Sequence, residues 1–326
     1  MKYMKWLILC MAVCLVFSFT ACDDGDDSAT SADNGGGTDN PVPDPPGPPA
    51  ETPWLCFTAG EDASKVSTEI VALGTVTSSL PMLEYSVNGG ISWETFTVDD
   101  TEVPLAKAGD KMYLRAKTTN NVFADVVDDD NQRIIRFKLE GSIAASGNVM
   151  SLVDKDCETT AIPSPFCFFG LFYNCTVLTS APELPATTLT FACYKGMFYD
   201  CTSLIEAPDL PATTMVDCCY SVMFKGCTSL ETAPELKATT LVAECYDRMF
   251  DYCSSLNSIT VHFTSWGSGT PTNMWVNDVA DSGIFHCPAV LIDHDPLIDS
   301  DFGTGKIPKD SSHKWTVITD VVEPAP

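Results

Sequence analysis

Fifteen cysteines in 326 residues are the first candidates for chemistry, and eight of them recur at a fixed interval. Cys167, Cys193, Cys219 and Cys245 are spaced by 26 residues, as are Cys175, Cys201, Cys227 and Cys253. A zinc site takes paired ligands about two to four residues apart. Here seven residues separate the two cysteines of a unit, and the whole chain has only four histidines. No metal or other cofactor is therefore expected. Two readings of the columns stay open. Cysteine can serve as a small buried hydrophobe where leucine has no room. Stacked units could also bring Cα atoms into the window of about 4.4–6.8 Å that a disulfide requires. Cys56, Cys157, Cys218 and Cys287 show no pattern that assigns partners.

Catalysis finds no better set of residues. His262, His286, His294 and His313 are accompanied by neither a Gly-x-Ser-x-Gly elbow nor a His-Glu-x-x-His helix. Asp128-Asp129-Asp130 and the group Asp293, Asp295, Asp299 and Asp301 lack the alternate-residue spacing and turn glycine of a dedicated calcium loop, so both read as solvated loops. No catalytic residue is assigned and no enzymatic activity is expected. Two columns remain as binding candidates. Tyr194, Tyr220 and Tyr246, with Phe168 in register, could stack on sugar rings or anchor a protein, or could pack between neighbouring units. Glu183, Asp209 and Glu235 would stack as like charges that call for solvent, a cation or a basic partner.

The elements that must position these residues follow from the same period. Phe172, Phe198, Phe224 and Phe250 form a third series, and Leu178, Leu204, Leu230 and Leu256 a fourth. Within one unit, Leu189, Cys193, Met197 and Cys201 lie at i, i+4, i+8 and i+12, which predicts a short helix capped at Thr187-Thr188 and ending near Tyr199. The segment Leu204 to Ala207 predicts a short strand that Pro208 ends. One helix and one strand cannot bury their apolar faces alone, so the units must complete one another's interior. This Phe-x-x-Cys-x-x-Leu pattern resembles the leucine-rich repeats of the BspA-like surface-antigen family. The resemblance implies an α/β leucine-rich-repeat solenoid, a surface location, and adhesion or ligand binding.

Ahead of the repeats, alternation and β-branched runs predict a small all-β, sandwich-like domain over residues 54–140. Its clearest hairpin joins Leu83-Glu84-Tyr85-Ser86-Val87 to Ile91-Ser92-Trp93 through Asn88-Gly89-Gly90. Ser86-x-Asn88-x-Gly90-x-Ser92-Trp93 resembles the Asp-box of sialidases, which implies a turn. Residues 141–162 connect to the repeats at 163–264 and form their N-terminal cap. Residues 265–326, with no further copy of the unit, form a C-terminal cap whose Trp315-Thr316-Val317-Ile318 predicts a closing strand.

Residues 1–21 carry Lys2 and Lys5 before an apolar run that ends short of the roughly 20 residues a spanning helix needs, which is the pattern of a signal peptide. Phe19-Thr20-Ala21-Cys22 resembles a bacterial lipobox, implying acylation at Cys22. Residues 22–53 are acidic, then Gly-rich, then Pro-rich, a tether with nothing to pack into a core. A formal charge of −26, from 44 acidic against 18 basic residues, argues against nucleic acid and against adsorption to an anionic bilayer, leaving the lipid as the membrane contact. The sequence thus leads to a non-enzymatic lipoprotein of the outer membrane, facing outward, that binds a protein or glycan surface ligand. The alternative is a glycan-capturing accessory lipoprotein of a nutrient-uptake system.

Overall fold

The computed structural model describes residues 53–74, 79–118, 123–128, 131–293 and 314–319. The expected signal peptide, Cys22 and nearly all of the tether lie outside them, as do Asp129, Asp130, Asp295, Asp299, Asp301, His294 and His313. No described helix is long and apolar enough to cross a membrane.

The expected α/β leucine-rich-repeat solenoid is not what the chain forms. The described residues are 3% helical and 31% strand, with three sheets among them. Two sheets dominate the region before the repeats. One contains β1 (Leu55–Ala59), β3 (Leu83–Ser86), β4 (Glu94–Phe96), β6 (Lys111–Ala116), β9 (Ile143–Ser146) and β10 (Leu178–Ser180), in the order β10-β9-β1-β6-β3-β4. The other contains β2 (Ser64–Leu73), β5 (Glu102–Leu105), β7 (Ala124–Asp128) and β8 (Asn131–Glu140), in the order β5-β2-β8-β7. The long β2 and β8 pair antiparallel from Lys65↔Glu140 to Leu73↔Gln132. The two sheets meet through Phe57 of β1 and Phe137 of β8, whose ring centroids are 4.8 Å apart. Phe137 also lies 5.0 Å from Phe172, so the sheet interior runs directly into the first repeat.

The repeats are runs of turns, and no helix forms in them. Ala192, Gly196 and Asp200 all have positive φ, as do Cys218, Val222 and Gly226, then Glu244, Arg248 and Tyr252. A left-handed residue at every fourth position is incompatible with an α-helix, whose residues all sit near φ −63°. The hydrogen bonds divide accordingly. Within one unit, the amides of Cys193, Lys195, Met197, Tyr199 and Cys201 donate to the carbonyls three residues back. The intervening amides, those of Ala192, Tyr194, Gly196, Phe198 and Asp200, donate to Asp217, Cys219, Ser221, Met223 and Lys225 of the next unit at 2.8–3.2 Å. The predicted strand at Leu204 to Ala207 is reduced to single bridges, Glu206↔Thr232 and Thr232↔Ser258.

Neighbouring units nevertheless lie in register. Phe172, Phe198, Phe224 and Phe250 are stacked with successive centroid separations of 5.4, 5.5 and 5.8 Å. Within the turn runs, the amides that cross between units point toward the C-terminus, whereas the segments between the runs also donate backward, as Asn257 does to Glu231 and His262 to Leu236. The first unit must therefore take donors from elsewhere, and the preceding sheets supply them: Phe137 to Leu171, Ile143 to Val177, and Val149 to Glu183. At the other end, Tyr246, Arg248, Phe250 and Tyr252 donate to Pro271, Asn273, Trp275 and Asn277. Thr270, Met274 and Asp278 repeat the positive φ, so residues 270–278 form a fifth turn segment. The reading of 265–326 as free of further copies is corrected by this segment. Pro271, Trp275 and Val276 stand where the fourth unit has Cys245, Met249 and Phe250, and those changes conceal it in the sequence. β11 (Ser258–Thr260), ahead of this segment, pairs in parallel with β12 (Ser282–His286), and β12 pairs in parallel with β13 (Lys314–Ile318), the one-turn helix α1 (Ala289–Asp293) falling between β12 and β13 in the chain.

Candidate functional site

The two cysteine columns are interior, and the twelve described cysteines are free thiols. The disulfide reading of the columns is thereby set aside in favour of packing. The second column has a further role. Cys175, Cys201, Cys227 and Cys253 donate their thiol hydrogens to the carbonyls of Phe137, Phe172, Phe198 and Phe224 at 3.0–3.3 Å. A thiol is small enough for the site and, unlike alanine, can satisfy a buried carbonyl. Burial pushes these thiols up, and it raises Cys193 and Cys245 to about 11, so they are poor nucleophiles. Among the described residues no group of three or more His, Cys, Asp or Glu side chains is placed to hold a metal ion.

The tyrosine column is also interior, which removes it as a ligand platform. Tyr194, Tyr220 and Tyr246 are each 1% exposed and stack at 5.9 and 6.1 Å, continuing from Phe168 at 5.8 Å. The phenol oxygens of Tyr194 and Tyr220 have no hydrogen-bond partner. A buried, unsatisfied hydroxyl costs about 1–3 kcal/mol, so Tyr220→Phe should leave stability unchanged or raise it by up to about 1 kcal/mol. Chemical denaturation tests this. A loss above about 1 kcal/mol would mean that the hydroxyl has a structural partner.

The acidic column is at the surface, and two of its three carboxylates have partners within the chain. Lys237 Nζ contacts Asp209 Oδ1 at 2.8 Å, and His262 Nε2 lies 2.6 Å from Glu235 Oε1. Both acids are exposed, so each pair adds at most about 1 kcal/mol. Glu183 is exposed and engages through its backbone, donating to Gly147 and accepting from Val149. The expected demand for an external cation therefore falls away at Asp209, which faces Lys237, whereas Glu235 is hydrogen-bonded to His262. Of the other histidines, His286 lies in β12. The Asp-box-like stretch is a self-bonded loop: Gly90 N–H donates to Ser86 Oγ at 2.9 Å and Ser92 N–H to Asn88 Oδ1 at 3.0 Å. Ile91 to Trp93 belong to this loop, so the hairpin strands are shorter than predicted.

What sequence reasoning missed is a strip of aromatic side chains two residues before, and one residue before, the second cysteine column. Tyr173 and Tyr199 stack at 4.9 Å and are partly exposed. The Arg136 guanidinium lies over Tyr173 at 5.2 Å, and Arg136 is itself paired with Glu69. The strip continues to Lys225, whose Nζ stands 5.9 Å from the Tyr199 ring and 5.2 Å from that of Tyr252. Tyr252 is 52% exposed. Tyr173, Tyr199 and Lys225 hold one repeat position and Tyr252 the next. The signal was available as the column Tyr173, Tyr199, Lys225 and Asp251, two residues before the second cysteine, whose polar groups set it apart from the apolar columns.

Asp200 borders this strip. Burial raises its carboxyl above the ordinary value of 3.8, partly opposed by Lys225. The folded chain thus holds this proton to higher pH than the unfolded chain, so stability falls as pH rises from 3.8 through the folded value. Asp200→Asn should accordingly raise the melting temperature at pH 7, and the difference from the parent should close below pH 3.8. The equivalent Asn174 already accepts the same positive φ. A difference independent of pH would rule out the carboxylate as its origin.

No family model, curated protein or solved structure matches the chain.

Proposed function

We propose that the chain is a non-enzymatic binding protein of the cell surface, exported through residues 1–21, acylated at Cys22 and held off the outer membrane by residues 22–53. Its ligand is a protein carried on a host or microbial surface, engaged by the strip of Tyr173, Tyr199 and Tyr252. The observation that carries this reading is the half-exposed Tyr252 beside a stacked, partly exposed tyrosine pair, on a face whose spacing is set by a rigid interior. Aromatic side chains lose little conformational freedom on binding and dominate interface energetics. The stacking of Tyr173 on Tyr199, with Arg136 over Tyr173, occupies ring faces that a sugar would need, which favours a protein over a glycan.

The test is binding of the purified residues 23–326 to arrays of surface proteins and of glycans, with Tyr173→Ser/Tyr199→Ser/Tyr252→Ser as comparison. Retention of a protein ligand, weakened at least tenfold in the triple variant, supports the reading. A hit only among glycans would replace it with the nutrient-capture alternative. Equal binding by the variant, or turnover of the captured molecule, would overturn it.

A further inference from the structure

The position held by Tyr173 and Tyr199 is held in the next three turn segments by Lys225, Asp251 and Asn277. Equivalent residues of adjacent units are neighbours, so a lysine followed 26 residues later by an acid is forced into contact. Lys225 Nζ donates to Asp251 Oδ2 at 2.6 Å, and the two side chains are only 11% and 2% exposed. The other carboxylate oxygen, Asp251 Oδ1, accepts from Asn277 Nδ2 at 2.9 Å. Asn277 Nδ2 also donates to Asp278 Oδ2 at 2.8 Å, which fixes the amide in place. The rings of Tyr199 and Tyr252 wall the ammonium on both sides. The carboxyl of Asp200 also acts on Lys225 electrostatically.

We propose that Lys225 and Asp251 condense after folding into an intramolecular amide that staples the third repeat to the fourth. One ammonium proton first passes along the hydrogen bond to Oδ2, leaving a neutral amine against a neutral acid. The Nζ lone pair then attacks Cγ, and the carbonyl π electrons move to Oδ1, where the Asn277 N–H stabilises the negative charge. As the carbonyl re-forms, the Cγ–Oδ2 bond breaks and Oδ2 departs as water with a second proton from Nζ. The third proton remains as the amide N–H. Nothing is oxidised or reduced, and no co-reactant is consumed. In open water the same condensation is opposed by charge and by solvent. Here contact geometry supplies the effective concentration, and the near-complete burial of both groups limits the reverse hydrolysis.

The test is mass spectrometry of the purified, folded full chain, intact and after trypsin. The expected result is a chain lighter by one water, no cleavage after Lys225, and a branched peptide joining Lys225 to Asp251. Lys225→Arg keeps the charge and the hydrogen bond but should return the chain to its full mass. Asp251→Asn should form the same link with loss of ammonia, and Asn277→Ala should slow linkage, leaving a mixture. Wild-type chain at full mass with normal cleavage after Lys225 would overturn the proposal. So would a water deficit that persists in Lys225→Arg, since succinimide formation or N-terminal cyclisation does not need this lysine.

Discussion

Phe224→Ala will destabilise the chain by about 3–5 kcal/mol, a large share of the stability of any single domain. Phe224 has no solvent exposure and lies between Phe198 and Phe250, with centroids 5.5 and 5.8 Å away. Truncation removes both ring contacts and leaves a cavity that its neighbours cannot fill. They are held by unit-to-unit hydrogen bonds such as Phe198 to Met223 and Phe224 to Met249. The Phe224 carbonyl also accepts the thiol of Cys253, so backbone collapse toward the cavity would disturb that bond. Phe224→Leu, which retains most of the volume, should lose less than half as much. Urea unfolding followed by circular dichroism measures the difference. A loss of less than about 1 kcal/mol for the alanine variant would contradict a continuous aromatic interior.

The second large effect is expected at Gly147→Ala. Gly147 has φ +69°, and a Cβ built there overlaps the backbone carbonyl oxygen of Trp54. The conformation alone costs an alanine about 1 kcal/mol, and overpacking against backbone adds about 1–3 kcal/mol. The site is the seam between the sheets and the repeats. Glu183 N–H donates to Gly147 O at 2.7 Å, the neighbouring Asn148 N–H donates to Pro53 O at 2.8 Å, and Val149 N–H reaches Glu183 O at 3.1 Å. A shift that relieves the clash must loosen bonds on both sides of the seam. The expected outcome is a loss of about 2–4 kcal/mol, together with faster amide exchange at Glu183 and Val149. Gly109→Ala is the control: it too has positive φ, but its Cβ meets nothing within 4 Å, so it should show only the conformational part. Equal losses for the two variants would show that the seam is not under steric constraint.

Some of this architecture was legible residue by residue. β3, β4, β6, β8 and β13 sit where alternation predicts strands, over Leu83 to Val87, Glu94 to Val98, Lys111 to Lys117, Arg133 to Leu139 and Trp315 to Ile318, because a half-buried strand imprints period two on its own sequence. β1, β2, β5 and β7 were not anticipated. β1 is buried at nearly every position and so carries no alternation, and β2 mixes charge with β-branching on a partly exposed face. The helix error is more instructive. Leu189, Cys193, Met197 and Cys201 repeat every 4.0 residues, which on a real helix drifts by about 40° per step and would leave the stripe after three steps. A strict four-residue interval is instead what a run of turns produces when every fourth residue is left-handed, and Gly170, Gly196 and Gly226 were its visible trace.

The residues alone determine the period of 26, the membership of each column, the absence of zinc spacing and the acidity that argues against polyanions. They could not determine which columns face water, because a tyrosine reads the same in a core stack and on a surface. That depends on how the backbone turns between units, and here only the packed structure decides it. It seals Tyr194, Tyr220 and Tyr246 inside while leaving Tyr252 in solvent. The contact of Lys225 with Asp251 likewise exists only because amides that a helix would bond to its own turn are bonded to the next unit, setting residues 26 apart side by side.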